Sequence, residues 1–181
     1  MKLFIASAAK SGTHFTTEFL NKLDVAVEHE NTGKDGIVSW ILDRVKDEND
    51  YVVLHQTRHP LDTISSCMYL NKDSWKYIRK HLLIEPNRPL LQQCMLYWYW
   101  WNKHLDNCTF TYPVEDIMEL VHILDLFQIP HNKNKIGEAS LLRVEKLGKT
   151  PLKKQLEWED LKKEDYLLAT EIRELAQSYG Y

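Results

Sequence analysis

Leu3-Phe4-Ile5-Ala6-Ser7-Ala8-Ala9-Lys10-Ser11-Gly12-Thr13-His14-Phe15 is the stretch on which the reading of the fold turns. Leu3 to Ser7 is a short apolar run, the pattern of a strand buried on both faces. Ala8 to Gly12 is a tight segment of small residues around one lysine. From Thr13 to Leu23 the apolar residues Phe15, Phe19, Leu20 and Leu23 recur at helical spacing. Strand, tight turn and helix in that order bring backbone N–H groups together at a helix N-terminus. Small residues let the turn curl, Lys10 adds a full positive charge, and Ser11 and Thr13 add hydroxyls. Together these make a cradle for an anion. The ATPase P-loop is a different pattern, because here the lysine precedes the glycine and the first glycine is missing. Taken alone, the segment reads as an anion cradle or as an ordinary strand–helix turn with a solvated lysine.

Outward from this unit the chain continues to alternate. Val25 to Glu28 reads as a second short strand, Ile37 to Val45 as a helix, and Tyr51 to His55 as a strand rich in Val and Leu. Pro60 opens a helix reaching about Leu70. Further helices are expected over Trp75–Leu83, Pro89–Leu105, Ile117–Phe127 and Lys163–Ser178, with a strand at Thr109–Tyr112. Strands alternating with helices predict an α/β, three-layer, P-loop-like fold with a short, mostly parallel sheet flanked by helices. Ligands then bind beyond the carboxyl ends of the strands, which singles out Ser7–Thr13, Glu28–Gly36 and Gln56–Pro60.

The 181 residues suit one domain, 1–181, with no repeat or linker to divide it. A hydrophobic share of 44% beside 27% charged residues is a globular profile. A net charge of -3 with both signs mixed gives no broad field for nucleic acid or a membrane surface, so an anionic ligand needs a local site. The odd count of 3 cysteines, widely spaced, indicates neither a disulfide framework nor a zinc site. No apolar stretch is long enough for membrane insertion, and the first apolar run is too short for a signal-peptide core. A soluble, cytoplasmic protein is the expectation, with its oligomeric state open.

Lys10-Ser11-Gly12-Thr13-His14-Phe15 resembles the KSGTTW signature of PAPS-dependent sulfotransferases, whose loop binds the donor's 5′-phosphosulfate. His14 stands where that family has a phosphate-contacting Thr, and Phe15 where it has the Trp that stacks on adenine. The segment Arg58-His59-Pro60-Leu61-Asp62-Thr63-Ile64-Ser65-Ser66 is similar to the family's 3′-phosphate motif, an Arg after a strand and a Ser eight residues later. An Arg fork and a hydroxyl facing one crevice suit a second phosphate. Tyr112-Pro113-Val114-Glu115-Asp116-Ile117 looks like the family's strand-end YEDL with one residue inserted, and the resemblance implies Tyr112 near adenine, although core packing explains it equally. Leu156 to Leu161 and Ala176 to Tyr181 resemble the tail of small bacterial members. The family's RKG segment is missing, and the basic run Arg143, Lys146, Lys149, Lys153 and Lys154 is either its substitute or a solvated surface.

The resemblance implies a sulfotransferase that moves a sulfuryl group from the co-substrate PAPS to a hydroxyl or amine acceptor, a glycan or small molecule. The donor side would comprise Lys10, Ser11, Gly12, Thr13, His14, Phe15, Arg58, Ser66 and Tyr112, with Lys10 also facing the developing charge. A sulfuryl group carries less charge than a phosphoryl group, so no metal is expected, and no metal-ligand spacing is present. The base falls to Glu30 or His29, which follow the second strand, with Glu28 turned away by strand alternation and His55, His59 and His14 in reserve. Tyr97 to Trp101 reads as core and helix packing rather than a substrate platform, since consecutive residues point all round a helix, with one or two of the rings left free to reach the acceptor site. Two alternatives stand beside this reading. A P-loop kinase or NTPase would need a Gly-Lys-Ser/Thr run and a strand-end metal-holding Asp. The other is a non-catalytic PAP-binding relative with an inherited fold, against which the retention of Lys10, Arg58 and Ser66 together argues, because a dead scaffold has no physical need for all three.

Overall fold

In the computed structural model, residues 2–44, 51–147 and 155–181 are described, and of residues 44 and 143–147 only the backbone. Five strands, β1 (Lys2–Ser7), β2 (Val27–His29), β3 (Gly36–Ser39), β4 (Tyr51–Thr57) and β5 (Phe110–Pro113), form one sheet in the order β2-β3-β1-β4-β5. Every pairing is parallel, with Leu3 opposite Gly36 on one side and Ile5 opposite Leu54 on the other. The helices are α1 (Thr13–Lys22), α2 (Pro60–Cys67), α3 (Lys72–His81), α4 (Leu90–Leu105), α5 (Ile117–Leu126), α6 (Ile136–Leu147), α7 (Trp158–Glu164) and α8 (Tyr166–Ser178).

The period of two along β1 sorts its side chains to opposite faces. Leu3 and Ile5 join Phe19 and Leu20 of α1 and Leu120 and Leu124 of α5 in one core cluster. Phe4 and Ala6 join Ile64 of α2, Cys94 and Trp98 of α4 and Ile172 of α8 in the other. A sheet covered on both faces is the three-layer α/β architecture expected from the alternation of elements. No helix among the described residues is long and apolar enough to cross a membrane.

Two expectations are corrected. The segment from Ile37 is not a helix: Gly36–Ser39 is β3, and only Leu42–Arg44 turn, as one 3-10 turn. Ile37 and Val38 are fully buried between β1 and β2, and a short apolar run buried on both sides has no periodicity to separate strand from helix. The expected end at Val45 lies outside the described residues. The terminal helix is also divided, because Asp165 ends α7 and caps α8, its carboxylate accepting from Leu168 N at 3.1 Å. Helix α6 has no counterpart in the sequence reading.

Candidate active site

The crevice at the carboxyl ends of β1–β4 opens into a cleft of about 440 Å³. The loop between β1 and α1 contributes Lys10, Gly12 and Thr13 to its wall, and the first turn of α1 adds His14 and Phe15. His29 and Glu30 enter from the end of β2, Trp40 from the end of β3 and Arg58 from the end of β4. Leu70 and Ser74 close the side toward α3. Eight of the residues singled out in the sequence (Lys10, Gly12, Thr13, His14, Phe15, His29, Glu30 and Arg58) therefore share one wall.

The β1–α1 loop is held so that its carbonyls face protein. The Trp101 indole donates to Ser7 O at 3.0 Å, and Ala8 O accepts from the Ser7 hydroxyl at 3.1 Å and from Ser11 N at 3.2 Å. The Cys67 thiol lies 3.6 Å from Ala9 O, Arg58 Nη1 donates to Lys10 O at 3.0 Å, and Gln56 Nε2 donates to Ser11 O at 2.6 Å. Among the described residues, the amides of Lys10, Gly12, Thr13 and His14 have no acceptor. With carbonyls bound behind and amides left open at a helix N-terminus, the loop is a nest for an anion. The Ser11 hydroxyl points the same way chemically, being buried without a partner among the described residues. A buried orphan donor in a native fold calls for a ligand or a water. Lys10 holds φ +69° and Gly12, the residue before α1, φ +91°, both left-handed, which turns the chain sharply enough to form the nest.

Beside this cradle lies a second cluster. Thr13 Oγ1 is hydrogen-bonded to His29 Nε2 at 2.8 Å, and Glu30 Oε1 stands 3.7 Å from the same nitrogen. The rings of His14 and His29 stack with centroids 3.7 Å apart. Desolvation, then the neighbouring His14, hold the His29 pKa below the usual histidine value, with Glu30 opposing them more weakly. At pH 7 His29 is therefore neutral. Glu30 takes φ +59°, a left-handed value uncommon outside glycine, and its amide is anchored on Val38 O at 3.0 Å. Backbone held in this way is a feature of sites where a side chain must be aimed.

Arg58 leaves β4 with its guanidinium braced between Lys10 O and the Asp62 carboxylate, 3.5 Å away. These contacts leave other N–H groups of its fork for a ligand. Ser66 lies one helix further on, buried within α2. Tyr112 is a correction. Its ring is fully buried among the side chains of α5 and β1, and its hydroxyl donates to Gln56 Oε1 at 2.8 Å, so no face is open to adenine. Of the histidines held in reserve, His55 is fully buried on Asn102 at 2.9 Å. His59 is packed against the rings of Tyr181 and Trp158. The basic run is outside reach: the side chains of Arg143 and Lys146, and Lys149, Lys153 and Lys154 altogether, lie outside the described residues.

Gln56, Tyr97 and Trp101 hold the loop from behind, a role the sequence alone does not assign to any of them. Only Gln56 carried a local signal, as a polar residue inside an apolar strand run next to the Arg58 motif.

No family model and no curated protein matches this chain. Among solved structures, a mouse sulfotransferase complexed with PAP aligns at 13% identity and TM-score 0.48, over 83% of this chain and 66% of its own. This chain thus spans slightly under two thirds of that neighbour's length, and the functional reading rests on the residues described above.

Proposed function

We propose that the protein is a sulfotransferase that uses PAPS and transfers its sulfuryl group to a hydroxyl or amine of a carbohydrate or small-molecule acceptor. The observation that carries this reading is the β1–α1 nest, in which unbonded amides, a buried orphan hydroxyl and Lys10 converge beside Glu30 and His29. Lys10, Ser11, Gly12, Thr13 and His14 hold the 5′-phosphosulfate, Phe15 offers a ring to the adenine, and Arg58 takes the 3′-phosphate with Ser66 behind it.

In the transfer, the acceptor atom attacks sulfur in line with the bond to the bridging phosphate oxygen. That S–O bond breaks and its electron pair departs with PAP. The Lys10 ammonium and the helix N-terminus meet the charge that grows on the leaving oxygen. The acceptor proton goes to Glu30. Among the described residues no hydrogen bond occupies this carboxylate, whereas His29 Nε2 already holds the Thr13 hydroxyl. Neutral His29 holds the Thr13 hydroxyl beside it.

Calorimetric titration with PAP, with magnesium–ATP, and with PAP against Arg58→Ala tests the donor site. Micromolar binding of PAP without metal, weakened roughly tenfold or more in the variant, is expected for loss of a charge-assisted contact. Binding of magnesium–ATP but not PAP would replace this reading with a kinase or NTPase. Glu30→Gln should keep PAP affinity and lose sulfuryl transfer by roughly 100-fold or more, the usual contribution of a general base. Unchanged turnover in that variant would move the base to His29.

A further inference from the structure

The loop that forms the nest is braced from behind by a helix that contributes nothing to the cleft wall through these contacts. The Tyr97 hydroxyl of α4 accepts a hydrogen bond from Ala9 N at 2.7 Å. One turn along the same helix, the Trp101 indole donates to Ser7 O at 3.0 Å. Both side chains are buried, Tyr97 fully and Trp101 at 1% exposed. They are held in place by each other, with ring centroids 5.2 Å apart, and by Trp75 and Tyr77 of α3 at 6.2 and 6.1 Å. Burial pushes the Tyr97 pKa well above the ordinary tyrosine value, so it remains a neutral phenol.

We propose that Tyr97 and Trp101 are positioning residues for the anion site: by fixing Ala9 N and Ser7 O, they set the turn that points the following amides into the cleft. The geometry is specific. Without the phenol oxygen, Ala9 N–H is a buried donor with no acceptor, and the loop relieves this by rotating the Ala9–Lys10 segment. That rotation carries the Lys10 amide and side chain away from the cradle while leaving the sheet untouched. The α4 contacts act on the near end of the loop, and Gln56 and Arg58 act on Ser11 O and Lys10 O at the far end. The loop is thus fixed at both ends. The consequence for ligand binding rests on the sulfotransferase reading, but the brace itself does not.

Tyr97→Phe removes one oxygen and keeps the ring, so the fold survives. Cys94→Ala is the control, because Cys94 is equally buried in α4 but has no bond to the loop. Hydrogen exchange on the full chain without ligand is measured first. Tyr97→Phe should speed exchange at Ala9 roughly tenfold, the loss of about one hydrogen bond, while β4 stays protected and Cys94→Ala leaves the Ala9 amide unchanged. Titration with PAP should then show roughly tenfold weaker binding for Tyr97→Phe alone. Equal effects of both variants, or protection of the loop unchanged in Tyr97→Phe, would overturn the proposal. If the unsubstituted protein fails to bind PAP, the sulfotransferase reading falls and the exchange result alone decides the role of α4.

Discussion

Gly12 has φ +91°, and a Cβ built on it would stand 3.1 Å from Val114 Cγ2. Backbone and space act in the same direction here: an L side chain is strained in the left-handed region and would also press on the loop after β5. Gly12→Ala should lower stability by about 1–2 kcal/mol, as a shift of the urea midpoint, and weaken PAP binding as the cradle opens. At this scale the sequence was readable wherever the chemistry is local. Lys10, Gly12, Thr13 and Arg58 lie just beyond strand ends, where the order of elements and the resemblance of the two motifs point together. Tyr112 is open to two readings in the sequence, adenine contact or core packing, because its position at a strand end says nothing about which face it takes. The structure turns it inward, onto Gln56 and the side chains of α5. Gln56 itself is decisive only through contacts: it donates to Ser11 O and accepts from Tyr112 and Thr16. None of these partners is near it in sequence.

Among the elements, β3 determines one wall of the cleft. It ends at Ser39 and delivers Trp40 beside Glu30, so reading residues 37–45 as a helix also hid Trp40 from the site. The sequence feature that distinguishes the two readings is Gly36. A Cβ there would fall 2.1 Å from Leu3 O, closer than any real contact, so only glycine lets β3 pair with β1 in this register. A helix start would place no such demand. Gly36→Ala should therefore cost several kcal/mol, roughly the range of severe core changes, and is checked by chemical denaturation together with the yield of folded protein. The loss of α6 from the sequence reading has a simpler cause. It packs against α1 through few buried residues, chiefly Ala139, with Lys22 paired to Glu138 at 2.7 Å, and no strand or turn signal in the sequence marks its start.

For the molecule as a whole, acid is the condition that tests the packing. His55 of β4 is fully buried between Asn102 of α4 and Thr111 of β5, and desolvation lowers its pKa to about 4. The folded state thus holds it neutral while the unfolded chain titrates near 6.5. Its contribution to stability is complete above pH 6.5 and is lost as pH falls toward 4, by about 3 kcal/mol in total. Thermal unfolding across that interval should show the decline. His55→Gln, which cannot take a proton, should flatten it, and an identical slope in the variant would assign the acid sensitivity to other groups.

The braces on Ala9 and Ser7 come from residues 88 and 94 positions further along the chain. A nascent polypeptide therefore carries the letters of its anion cradle long before it has the shape of one. At ribosomal rates of about 5–20 residues per second, that interval lasts roughly 5 to 20 seconds. On the function proposed above, a nucleotide would find its braced cradle only after α4 has been made, and not while the first third of the chain is all there is. Any protection the ligand gives begins only once the helix has docked.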